Sequence, residues 1–206
     1  MSHRAVALLD RSMVDAATAT LAVAFHDDPM FEWVLPDRTR RRAQLTRLNR
    51  VALDFGMRYG RVTQTDGGRG VAIWVPPGES MTLPRLLRCG MLAAPFQVGF
   101  GPMARFAGAN AVMDKVHASH VSGAHWQLLI VAVDPDLQGT GRGAALVREG
   151  LEQADTDAVP CYLDTSQPAN LPFYERLGFT VEEEARLGKG GPPAWGMLRQ
   201  GTRQPG

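Results

Sequence analysis

The run Gln138-Gly139-Thr140-Gly141-Arg142-Gly143-Ala144 puts three glycines at alternate positions. It lies between the apolar stretch Leu128–Val133 and a helical pattern that begins near Gly143. With little side chain over such a turn, backbone N–H groups can approach an anion closely. The following helix adds unpaired N–H groups and the positive end of its dipole. Strand, glycine turn and helix start together predict a phosphate site. A Walker loop is excluded, because no Gly-Lys-Ser/Thr closes the run. An NAD(P) fingerprint is harder to dismiss: Gly139, Gly141 and Ala144 fit its glycine pattern. Asp164 then ends the next strand about 20 residues on, where a ribose-binding acid belongs. Against it, Asp134–Gln138 separate strand from glycines, and only about 40 residues follow Asp164.

Hydrophobic spacing supplies the elements that must hold this turn. Arg4–Leu9 reads as a first strand. Ser12 with Asp15 gives a capping-box-like start to a helix with Met13, Ala17, Leu21 and Phe25 on one face. Asp27-Asp28-Pro29 ends it. A second helix begins near Asp37–Thr39, with Leu45, Leu48, Ala52 and Phe55 on one face. Arg38, Arg40, Arg41, Arg42, Arg47 and Arg50 crowd its first half, as a polyanion patch or, since acids elsewhere balance them, a solvated face. Arg61–Gln64 and Gly70–Val75 read as strands joined at Asp66-Gly67-Gly68. Residues 79–120, interrupted by Pro84, Pro95 and Pro102, predict two or three short helices that cover a substrate pocket or complete the core.

His125–Val133 is the strongest strand. Alternation puts Trp126, Leu128, Ile130 and Ala132 on one side, and apolar residues on both faces beyond Gln127 make it central. A helix with Ala144, Val147, Leu151 and Ala154 inward leads to a strand at Val159–Asp164, a right-handed βαβ unit. Asn170–Gly178 is a short helix with Asn170 at the N-cap, Pro172 in the first turn and Gly178 as its stop. Phe179–Glu182 and Ala194–Leu198 are late strands. The expected organisation is one domain over 1–200 and a loose tail at 201–206.

Bulk properties exclude several classes. Of 206 residues, 45% are hydrophobic and 21% charged, and the formal net charge is +1, so nothing global points to nucleic acid or membrane. No apolar run approaches the ~18 residues of a membrane span, and no signal-peptide core is present. Cys89 and Cys161 make no disulfide framework and read as reduced thiols of a cytoplasmic protein. His117, His120 and His125 have no carboxylate or cysteine at ligand spacing, so no metal is expected.

The run Val133-x-Pro135-x-x-Gln138-Gly139-x-Gly141-x-Gly143 resembles the coenzyme A pyrophosphate motif of the GCN5-related N-acetyltransferase (GNAT) superfamily. Asn170-Leu171-Pro172-Phe173-Tyr174-Glu175-Arg176-Leu177-Gly178-Phe179 resembles that family's last motif, in the expected order. The resemblance covers roughly 124–198 and extends plausibly back to residue 4. Within the superfamily, the stretch from Asp164 to Val181 looks most like the puromycin N-acetyltransferases, as do Ala72–Pro76 and Trp195-Gly196-Met197.

This resemblance implies a mixed α/β fold: a central, mostly antiparallel twisted sheet of six to seven strands flanked by helices. It implies transfer of acetyl from acetyl-CoA to a primary amine of a small molecule, by direct attack in a ternary complex. Alternatives are a protein or peptide N-acetyltransferase, a non-catalytic acyl-CoA-binding module and, more remotely, an NAD(P)-binding protein. Cofactor contacts are expected from Val131, Val133, Gln138, Gly139, Thr140, Gly141, Arg142, Gly143, Ala144, Asn170, Phe173 and Tyr174. The Val133 N–H would polarise the thioester carbonyl, and Tyr174 would protonate the departing thiolate. Base candidates are Asp28, Asp164 and His125, with Glu32 nearby. Asp28, Phe31 and Trp33 would meet the acceptor. Asp28 stands where the puromycin group carries an aromatic hydroxyl, which favours a cationic acceptor with aromatic or aliphatic bulk. The protein is expected to work as a monomer or homodimer.

Overall fold

The computed structural model describes residues 6–201. Arg4 and Ala5 of the expected first strand and 202–206 of the expected tail lie outside the described residues. The elements are β1 (Ala7–Leu8), α1 (Val14–Ala24), α2 (Pro29–Val34), α3 (Arg38–Tyr59), β2 (Arg61–Thr65), β3 (Gly70–Val75), α4 (Leu83–Arg88), α5 (Ala94–Val98), α6 (Phe100–His120), β4 (Trp126–Val133), α7 (Arg142–Thr156), β5 (Cys161–Thr165), α8 (Leu171–Glu175), β6 (Thr180–Arg186) and β7 (Pro193–Arg199). They form one seven-stranded sheet in the order β1-β2-β3-β4-β5-β7-β6. Only β4 and β5 run parallel; every other pair is antiparallel.

Alternation along β3 divides the core. Ala72 and Trp74 face α7, packing with Leu146, Val147, Leu151 and Ala154. Val71 and Ile73 face α1, with Ala17 and Leu21. Gly150 lets α7 settle onto the sheet, because a Cβ there would run into the Trp74 ring.

The alternation expected along β4 breaks. Ile73 pairs with Ile130 and Trp74 with Leu128, so Leu129 is an extra residue. Such a bulge shifts the pleat by one position. Trp126 and Leu128 therefore join the α7 side, while Ile130 and Ala132 join the α1 side. The pairing of β4 with β5 ends at the same place: Trp126, Gln127 and Leu128 pair with Cys161, Tyr162 and Leu163, and nothing beyond does. The two strands part where the bulge bends β4.

Several helix boundaries differ from expectation. Asp10, not Ser12, caps the first helical segment: its carboxylate accepts both the Ser12 N–H (2.8 Å) and hydroxyl (2.6 Å), opening a short 3-10 turn that runs into α1. The prolines read as interruptions open helices instead. Pro29, Pro84 and Pro95 occupy first-turn positions of α2, α4 and α5, where a missing N–H costs nothing. Pro102 lies in the first turn of α6, which runs for 21 residues rather than a short stretch. Arg41 leaves the solvated arginine face: it is 4% exposed and donates to the carbonyls of Leu35 and His26 and to Glu32. No helix among the described residues is long and apolar enough to cross a membrane.

Candidate active site

The gap between β4 and β5 opens into a groove of about 960 Å³. Its floor is Val131–Val133, one rim is the loop Leu137–Gly141 with the first turn of α7, and the other is α8. Backbone direction in the floor follows from one bond. The Asp134 N–H donates to the Arg69 carbonyl at 2.8 Å, so Asp134 and, by alternation, Ala132 and Ile130 bond toward β3. The N–H and C=O groups of Val131 and Val133 then face the gap that β5 has vacated. Gln138 donates its side-chain amide to the Val133 carbonyl at 3.2 Å, which covers that acceptor.

Gly139 and Gly141 have φ of 72° and 85°, and a Cβ on either would meet nothing within 4 Å. The left-handed backbone demands glycine there; steric room does not. Gly143 differs: it is helical, and its Cβ would make ordinary 3.7 Å contacts with Phe173 and Val133. The N–H groups of Arg142, Gly143 and Ala144 begin α7, where the first intrahelical partners are not yet available. An anion at this end of the groove meets donors already aimed at it.

Two expected cofactor contacts change character. Thr140 does not line the groove; its hydroxyl donates to the Leu137 carbonyl and accepts from Arg142 at 2.8 Å, which ties the loop together. Arg142 adds little free charge. Asp66 holds its guanidinium in two bonds, at 2.5 and 3.1 Å, and this raises the Arg142 pKa. The cations that sequence reasoning missed are Arg148 and Arg176. Both line the groove from opposite rims, and neither has an ion-pair partner among the described residues. Arg148 falls in no motif, and Arg176 lies in the second motif without a role assigned there; only the approach of α8 to α7 puts both on one groove.

Asn170 occupies the N-cap position, yet its side chain makes no capping bond. It lines the groove beside Phe173 and Tyr174. Tyr174 is 6% exposed and packs edge-on against Phe173 and Phe179. Its hydroxyl has no hydrogen-bond partner among the described residues. Burial, then the charges of Asp164 and Asp28, pushes its pKa up and keeps the phenol protonated.

A second cavity of about 200 Å³ adjoins the groove, and Phe25, Asp28, Val131, Asn170 and Tyr174 line both. The second cavity is walled by Phe31, Leu48, Asn49, Ala52, Phe106, Asn110, Met113 and Asp164, among others. The apolar part of 79–120 thus does form a pocket wall, through α6. The Asp164 carboxylate makes no hydrogen bond among the described residues. Burial, helped by Asp114, pushes its carboxyl pKa up to about 6.

Asp28 serves the backbone first. One carboxylate oxygen accepts the N–H groups of Met30 (2.9 Å) and Phe31 (3.3 Å) as the cap of α2, and the Ser166 hydroxyl at 2.9 Å. Burial still raises its pKa despite these bonds. The remaining candidates do not reach the site. His125 precedes β4 and bonds to the Gly123 carbonyl and to His117. Eight strand residues at about 3.3 Å each put it more than 20 Å from Val133. Glu32 pairs with Arg41. Trp33 packs against Gly188 and Gly191, outside both cavities, because α2 turns that face away. No group of three or more His, Cys, Asp or Glu residues suited to a metal occurs among the described residues; His120 bonds to Glu183 at 2.7 Å instead.

Residues 98–181 match the family model described as an acetyltransferase (GNAT) domain. An uncharacterized N-acetyltransferase of Schizosaccharomyces pombe is 26% identical over 186 residues, covering 83% of this chain and 72% of that protein. The mycothiol acetyltransferase of Streptomyces griseus is 39% identical over 72 residues, covering 34% of this chain; the chain spans 22% of that relative's length. Among solved structures, one described as histone acetyltransferase HPA2 and related acetyltransferase, from Corynebacterium glutamicum, shares the fold with a TM-score of 0.68, 24% identity and 97% coverage of both chains. Residues 98–181 are thus similar to a GNAT acetyltransferase domain, the solved structure shows the shared fold, and the family model together with the acetyltransferase-named relatives supports an acetyl-transferring enzyme.

Proposed function

We propose that this enzyme transfers the acetyl group of acetyl-CoA to the primary amine of a small molecule, by direct attack within a ternary complex. The observation that carries this reading is the junction of the two cavities at Tyr174. One side offers an anion-binding helix start and unpaired strand groups, and the other a mainly apolar cavity that includes Asp28 and Asp164 in its lining.

Acetyl-CoA supplies the activated acyl group as a thioester. The N–H groups from Gln138 to Ala144 hold its pyrophosphate, and Asn170 and the Val131 backbone hold the pantetheine arm. The Val133 N–H donates to the thioester oxygen as charge gathers there. Asp164, ionised above about pH 6, takes a proton from the incoming ammonium. The amine nitrogen then bonds to the acyl carbon; as the C–S bond breaks, Tyr174 gives its phenolic proton to the sulfur, and the second proton shed by the nitrogen restores the phenol, leaving a neutral amide, the free thiol and one proton on Asp164. Asp28 contributes negative charge while its hydrogen bonds fix the wall. The relatives found do not support a place in the puromycin group, so that likeness carries no substrate.

Calorimetric titration with acetyl-CoA, followed by mass spectrometry of an amine mixture, tests the reading. Binding and N-acetylated amines are expected; no binding of acetyl-CoA ends it.

A further inference from the structure

Resting on that reading, we infer that the acceptor is a primary monoamine whose apolar body carries a hydroxyl group, recognised by Asn49 and Asn110. The charges of the second cavity set the first part. Among the described residues Asp28 and Asp164 are its only charged lining residues, and both act on Tyr174, so both lie at the reacting end. No lysine, arginine or histidine among the described residues lines it. One ammonium is therefore accommodated beside the thioester, and no further carboxylate waits for a second cation. The Phe31 and Phe106 rings stack at 6.3 Å in its wall, a surface for an aromatic or aliphatic body.

The amides set the second part. Asn49 lies on α3 among the lining residues Leu48 and Ala52, and is only 2% exposed. Its Nδ2 is enclosed without a hydrogen-bond partner, and its Oδ1 makes no bond among the described residues. An amide left unpaired in an apolar wall opposes folding. Asn110, on α6, spends its Nδ2 on the Phe106 carbonyl at 2.7 Å, which leaves its Oδ1 as an open acceptor. A hydroxyl both donates and accepts. It can accept from the Asn49 Nδ2 while donating its one proton to the Asn110 Oδ1; in the flipped Asn49 orientation that proton goes to Asn49 instead. A purely hydrocarbon amine leaves these groups unpaired.

The test compares phenethylamine, tyramine and spermidine as acceptors with saturating acetyl-CoA, alongside calorimetry of acetyl-CoA binding. Tyramine should exceed phenethylamine in kcat/KM by about 10-fold or more, since a site with buried polar groups rejects an analogue that cannot pair them. Spermidine should be the poorest. Asn49→Leu should bring the tyramine-to-phenethylamine ratio near one while phenethylamine turnover persists. A ratio near one in the unaltered enzyme, a ratio that survives Asn49→Leu, or a preference for spermidine overturns the inference. If Asn49→Leu does not fold, the ranking in the unaltered enzyme decides. Absence of acetyl-CoA binding would instead defeat the underlying reading, so the two failures are distinct.

Discussion

Asp164 lies close enough to Tyr174 for its charge to lift the phenol's pKa, an effect second only to burial. The two groups are thereby pushed into complementary states near neutral pH. The phenol stays protonated, while the carboxyl, with its pKa at about 6, is mostly ionised. One residue can give a proton and its neighbour can take one, the separation that acid–base catalysis needs.

Replacing Asp164 with Asn should lower kcat/KM by about 10²-fold or more and remove the acidic limb near pH 6 from its pH profile. Stability should move the other way. The folded pKa of Asp164 exceeds the unfolded carboxylate value of about 3.9. Its contribution is fully favourable below that value and is lost as pH rises through about 6. At pH 7.5 the ionised side chain opposes folding, so Asp164→Asn should gain roughly 1–2 kcal/mol and melt several degrees higher. A variant that is fully active, or less stable at that pH, contradicts this assignment.

Asp28→Ala should behave differently. Loss of the α2 cap should cost about 1 kcal/mol, read as a lower melting temperature, with kcat/KM reduced less than in Asp164→Asn. A larger loss of activity than stability would make Asp28 the base instead.

Much of this site was legible in the sequence because it lies within local motifs. The glycine turn, the βαβ unit and the Asn170/Tyr174 spacing each depend on a few neighbouring residues. The seven-stranded mixed sheet also followed the expectation. The bulge at Leu129 was not legible, because every residue around it is apolar and a one-residue slip leaves the pattern intact. Asp28 looked like loop chemistry because Pro29 reads as a stop; the same proline, at a helix start, makes Asp28 a cap. The arginines Arg148 and Arg176, the Asp66 grip on Arg142 and the displacement of His125 all depend on tertiary proximity, which spacing cannot report.

The glycines of the turn should separate by variant. Gly141→Ala forces a side chain into φ of 85° and should cost about 1–2 kcal/mol while weakening acetyl-CoA binding. Gly143→Ala keeps helical geometry and should leave stability equal or higher by up to about 1 kcal/mol, read as an unchanged or slightly raised melting temperature. Paired thermal melts check this; equal destabilisation by both would contradict the two roles.

Arg148→Ala and Arg176→Ala should each weaken CoA binding by about 3–10-fold at low salt, and the difference should shrink as salt screens the groove. Titrations with CoA at two salt concentrations read this directly. Unchanged affinity would mean that both cations serve only the surface.

The most direct measurement for the account as a whole is Tyr174→Phe, followed by turnover and acetyl-CoA affinity on the same preparation. Removing only the hydroxyl should lower kcat by about 10²-fold or more with Kd for acetyl-CoA within about twofold of the unaltered enzyme. Full turnover, or loss of acetyl-CoA binding with the fold intact, would contradict the role of Tyr174 as proton donor at the junction of the two cavities.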